Sequence, residues 1–153
     1  MQEIFKDFPN LHPLFVHFPI VLLLLAATTQ IAILFFPKNS QLKWLTFFLI
    51  ATGSLGAYMA MQTGTHLSGD ADEKAFDIFE THYLFARLTF WTSLAASIIR
   101  LIALKWYAKR WMEYILVALF ITIAVFVTIT AHHGAKMVYI YNVGPQGNGI
   151  LSE

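Results

Sequence analysis

Six histidines, His12, His17, His66, His82, His132 and His133, are the side chains of this sequence best suited to chemistry. Imidazole ligates haem iron, copper, zinc and non-haem iron. Two of the six lie in "LHPLFVHFPIVLLLL", residues 11–25, where His17 is followed by a run from Phe18 to Leu25 without a polar side chain. Such a segment has no use for imidazole unless something inside the fold engages it. The chain has no cysteine, which excludes disulfides, thiolate metal sites and covalent c-type haem attachment. Any haem here is therefore non-covalent. No nucleophile, acid–base dyad or phosphate loop is visible, so the fit is to an electron-transfer or accessory subunit rather than a stand-alone enzyme.

The elements that must position these histidines are very apolar. Hydrophobic residues make up 58% of the 153, charged residues only 12%, and the mean hydropathy is +0.61. A soluble domain carries about a quarter charged residues. Four apolar segments, roughly 13–36, 44–63, 83–104 and 111–133, each reach the ~20 residues that cross a ~30 Å hydrocarbon core. Lipid cannot satisfy backbone polar groups, so the segments must be helices. The first is too long for a signal-peptide core and lacks a basic leader and a cleavage site, so it reads as a retained span. The connectors 37–43 and 105–110 are short, which makes neighbouring helices antiparallel. The sequence thus predicts an all-α membrane protein. It is a single four-helix transmembrane domain over 1–153, with both termini and an acidic connector, 64–82, on one side. A net charge of +1 gives no general attraction to nucleic acid.

Lys38, Lys43, Arg100, Lys105, Lys109 and Arg110 fall on the short-loop side, against Lys6, Lys74, Arg87 and Lys136 on the other. The positive-inside rule then puts the short loops in the cytoplasm and the termini outside. All six histidines fall at the outer end, and every span contributes, so a bundle gathers them in one outer-leaflet pocket. Ionisable groups at membrane depth are functional by default. His17 is the deepest, and Pro19 close behind it removes a backbone donor and bends the helix, which turns His17 towards the bundle axis. His82 and His132 sit near matching depth. Two of these three suffice for bis-histidine ligation, and spacing leaves the pair open. His12, His66 and His133 are lesser metal candidates. Arg87 and Lys136 can pair haem propionates or snorkel to the surface. In "GSLGAYMAMQTG", Gly53, Ala57, Ala60 and Gly64 form a smooth stripe. It serves close helix packing or leaves room for a flat macrocycle.

These motifs resemble a known family. "HPLFVHFP" near the start, His82 opening the third span, Arg100 at its end and "AHHGAKMVYIYNVG" at the close are similar to the bacterial membrane family called domain of unknown function 2231. Its pattern is H-P-x-x-V-H-F-P, a histidine opening span three, and a G-H-x-G-G-x-L-V-Y-x-x-G-V-G ending. The resemblance covers nearly the whole chain and points to His12, His17, His82 and His132. Ala131, Ala135, Met137 and Asn142 depart from the closing pattern. Members also occur fused to cytochrome-like modules, which implies redox work in the bacterial cytoplasmic membrane.

The connector "SGDADEKAFDIFETH" sets Asp70, Asp72, Glu73, Asp77 and Glu80 against Lys74. It reads as a solvated loop or as a docking face for a basic soluble electron carrier, such as a periplasmic cytochrome, with Asp70, Asp72 and Glu73 as the contact residues. A short amphipathic helix is expected over Ala75–Thr81, with Phe76 and Phe79 at the interface. The leading expectation is a b-type haem membrane cytochrome, or a subunit of one, passing electrons within a larger redox complex. The alternatives are a copper-, zinc- or iron-binding membrane protein using the same histidines, and a cofactor-free structural subunit.

Overall fold

The computed structural model describes residues 12–64, 67, 72–105, 109–141 and 143. Four helices account for nearly all of them: α1 (His12–Phe35), α2 (Ser40–Gln62), α3 (Glu73–Lys105) and α4 (Arg110–Tyr139). All four are long and apolar enough to span a membrane. Around the outside, Phe18, Leu25, Phe48, Leu55, Trp91, Ile98, Trp111 and Val125 are exposed. An apolar belt of this extent is solvated by lipid rather than water.

Three boundaries differ from the sequence reading by more than a residue, and one of them is the end of α4, which runs on to Tyr139 rather than stopping near 133. α2 starts at Ser40, before the apolar run, because the Asn39 side chain accepts a hydrogen bond from Leu42 N at 3.0 Å and caps the helix. α3 starts at Glu73 and absorbs the segment expected as a separate amphipathic helix. Asp72 Oδ1 accepts from Lys74 N at 3.0 Å at its start, and no Gly or Pro between Ala75 and Tyr83 interrupts it. At ~1.5 Å per residue, the 33 residues of α3 exceed a ~30 Å core, so part of the helix must project.

α1 packs on α2 and α4, and α3 packs on the same two, so α1 and α3 stand diagonally opposite. Each helix buries one seam spaced three and four residues apart. The seam of α1 is Pro19, Leu23, Ala26, Gln30 and Ile33; that of α2 is Thr46, Ile50, Gly53, Ala57 and Ala60. α3 buries Thr89, Ser93, Ala96, Arg100 and Ala103, and α4 buries Glu113, Leu116, Phe120, Ile123 and Val127. This is the knobs-into-holes spacing of a helix bundle. Hydroxyls on the α2 and α3 seams satisfy themselves on carbonyls one turn back, as Ser54 does on Ile50 and Ser97 on Ser93. Ser54 and Ser97 also meet across the two helices at 3.3 Å. Small side chains of this kind let helices approach closely in lipid.

Candidate functional site

Extending each seam by its own spacing to one end of the bundle reaches His12 on α1, Gly64 on α2, His82 on α3 and Gly134 on α4. His12 Nδ1 lies 2.8 Å from the Ala60 carbonyl, and His82 Nδ1 lies 2.9 Å from the Thr130 carbonyl. A carbonyl only accepts, so each Nδ1 carries the proton and each Nε2 carries the lone pair. That is the second-shell arrangement that orients a ligating imidazole. Both rings are half-buried, and His82 lies within electrostatic reach of His12 and of His133. His12 precedes the span Phe15–Phe35. Burial holds its pKa below the ordinary imidazole value, against the opposing effect of the Ala60 hydrogen bond. The neutral ring, the form able to ligate, is thereby favoured.

Gly134 is what makes room for the His82 ring, whereas a Cβ on Gly64 would only touch that of His12. A Cβ on Gly134 would stand 3.2 Å from His82 Cε1, and one on Gly64 would stand 3.9 Å from His12 Cε1. Farther along α2, a Cβ on Gly53 would meet Leu23 Cδ2 at 2.7 Å and one on Gly56 would meet Pro19 Cδ at 3.1 Å. That part of the small-residue stripe is filled by α1, while Ala57 and Ala60 are buried in the same contact face.

The other expected site residues divide. His17 is exposed: Pro19 faces α2, and a residue two positions away is turned about 200° around the helix. The bend therefore does not bring His17 to the axis. His132 is also exposed. His133 is half-buried, its Nδ1 2.9 Å from its own helix's Ile129 carbonyl, with its ring 5.6 Å from that of His132. Arg87 is exposed with its guanidinium 5.8 Å from the centre of the Tyr83 ring, and Lys136 is half-buried in the last turn of α4. Asp72 and Glu73 are exposed at the start of α3. His66 and Asp70 lie outside the described residues. Among the described residues, no group of three or more histidines or carboxylates is arranged to hold a metal ion.

The opposite end carries a layer that sequence reasoning missed. Arg100 Nη1 donates to Glu113 Oε2 at 2.7 Å, and Gln30 Nε2 donates to the same oxygen at 3.0 Å. Lys43 Nζ lies 3.7 Å from Glu113 Oε1. Arg100, Gln30 and Thr46 are fully buried and Glu113 is nearly so. Arg100 Nε and Nη2, Gln30 Oε1 and Glu113 Oε1 are buried without a hydrogen-bond partner among the described residues. Arg100, counted from sequence among the loop-side charges, is inside the bundle. The positive-inside margin accordingly narrows to Lys38, Lys43, Lys105, Lys109 and Arg110 against Lys6, Lys74, Arg87 and Lys136. The signal was present in the spacing: Ser93, Ala96 and Arg100 continue one seam, and Glu113, Leu116 and Phe120 begin another.

Compared with known proteins, residues 9–147 match a family model described as "Predicted membrane protein (DUF2231)". The chain belongs to that family. No curated protein and no solved structure matches it.

Proposed function

We propose that this DUF2231 chain is a b-type membrane cytochrome, or a subunit of one, in which His12 and His82 hold a haem at the histidine end of the bundle. The reading rests on one observation: two imidazoles from diagonally opposite helices sit at one end, each with Nδ1 bound to a neighbouring helix's carbonyl. Two protein ligands suffice for haem, because the porphyrin supplies the four equatorial nitrogens, whereas a bare zinc ion takes three or four. An apolar seam, from Leu23 to Val127, lies below the rings. When bound, the haem iron supplies one-electron chemistry. The chain's own residues do the rest. His12 and His82 hold the iron; the Ala60 and Thr130 carbonyls fix the ring tautomers; Lys136 and Arg87 are the candidate partners for propionates. Asp72 and Glu73 offer a negative face to a cationic redox partner. The membrane is the bacterial cytoplasmic one, with the histidine end on the periplasmic side.

The test is an ultraviolet–visible spectrum of protein purified from haem-replete cells. A Soret band that shifts on dithionite reduction is expected. His12→Ala and His82→Ala should each abolish it, and His17→Ala should not. A colourless wild-type preparation sinks the reading.

A second reading, a copper, zinc or iron site, is favoured by His133. It is a third imidazole with Nδ1 on a carbonyl, within electrostatic reach of His82. Stoichiometric metal without a porphyrin band, lost in His133→Ala, would select it.

A further inference from the structure

We propose that the short-loop end of the bundle is an oxyanion-binding site, in which the free edge of the Arg100 guanidinium takes a carboxylate or phosphate group.

Arg100 uses only Nη1, towards Glu113. Nε and Nη2 are buried and unpartnered. These two nitrogens share one edge of the guanidinium and form the fork that binds carboxylate and phosphate with two parallel hydrogen bonds. A buried polar group left without a hydrogen bond is costly, and more so when it is charged, so this edge calls for a partner.

Formal charge selects the sign of that partner. Arg100 and Glu113 offset one another inside the layer, and Lys43, partly exposed at its edge, adds one positive charge. An oxyanion cancels it. Lys43 marks the way in, because its side chain is 25% exposed while reaching towards Glu113 from α2. It is the member of the cluster that touches the surface. Gln30 Oε1, the unpartnered acceptor on the far helix, suits the hydroxyl of a phosphate monoanion or a water carried in with a carboxylate. The site is separate from the histidine layer and does not depend on any cofactor there.

The experiment measures the thermal unfolding midpoint of detergent-purified protein against potassium phosphate and sodium acetate, with chloride at matched ionic strength as control. A midpoint that rises and saturates with phosphate or acetate but not with chloride is expected. Arg100→Lys keeps a charge for Glu113 and loses the fork, so it should lose the rise. Should that variant not fold, Lys43→Ala leaves the fork intact and removes the charge at the entrance, and should move the saturation point to higher anion concentration. The second arm separates free anion from lipid. A phospholipid phosphate as the natural occupant would leave anionic lipid co-purifying with wild type, seen by native mass spectrometry, and depleted in the variant. No saturable response beyond chloride together with no retained lipid overturns the proposal, as does a density map with only waters on Nε and Nη2 in saturating phosphate.

Discussion

The two ends of this bundle solve the problem of polar groups in lipid in opposite ways. At the histidine end, the positions that continue the seams alternate imidazole and glycine, and each imidazole donates an Nδ1–H hydrogen bond to a carbonyl of the next helix. The groups are neutral when satisfied, and the rings are only half-buried. At the short-loop end, the same seam positions carry a guanidinium, a carboxylate, an amide and a hydroxyl, closed off from the surface and only partly matched. The first end is built of imidazoles tied to backbone carbonyls. The second is built around charge that cannot leave. Both lie on one continuous heptad seam, so the difference arises from side-chain chemistry and not from backbone geometry.

Breaking the charged layer should give the largest effect. Glu113→Ala removes the carboxylate that, among the described residues, pairs with Arg100, and leaves a fully buried guanidinium uncompensated. Loss of one partner from a buried pair costs about 3–5 kcal/mol. A steep fall in the thermal midpoint is expected, with Gln30→Ala falling less because it removes a neutral donor. The double variant Arg100→Met with Glu113→Leu removes both charges and should recover most of the loss. If Glu113→Ala unfolds no more readily than wild type, the ion pair is not a constraint on the bundle.

The histidine layer breaks through its glycines next. Gly134→Ala puts a methyl 3.2 Å from His82 Cε1, so the ring must move or the helices must part. Overpacking of this kind costs up to about 1–3 kcal/mol, and on the proposed haem reading the displaced ring should weaken the Soret band. Gly53→Ala meets Leu23 Cδ2 at 2.7 Å. It should cost stability of the same order, but through α1–α2 packing and without altering a haem spectrum. The pair of variants therefore separates the ligand cradle from helix packing. Equal spectral loss in both would remove the distinction.

This contrast also explains what sequence alone can read. Four apolar runs force four helices because lipid leaves no other option, and the fold follows from that. The collection of histidines at one end was legible too, since chain direction alternates with each span. Which histidines face inward was not read from depth or from Pro19. It is read from phase: His12 lies seven residues before buried Pro19, and His82 seven before buried Thr89, whereas His17 lies two residues off. The Arg100–Glu113 pair escaped for a related reason. Positions near span ends look like loop charges when they are counted by depth, and only the seam spacing places them inside. The start of α3 at Glu73 depended on a local cap that overrode the polar composition of the segment.

The smallest expected effect concerns the exposed start of α3, beyond both layers. Asp72 has two separable roles there. Its side chain accepts from Lys74 N, and its charge adds to Glu73 at the surface. Asn caps a helix about as well as Asp, so Asp72→Asn should leave stability within about 0.5 kcal/mol of wild type, whereas Asp72→Ala should cost about 1 kcal/mol. If this face steers a cationic redox partner, Asp72→Asn combined with Asp70→Asn and Glu73→Gln should slow association at low ionic strength. The slope of rate against salt should also flatten, since exposed charges act only within a Debye length of ~10 Å at 0.1 M. Stopped-flow mixing with a basic soluble electron carrier reads both. An unchanged rate and slope would return these carboxylates to the single task of starting the helix and keeping its exposed end in water.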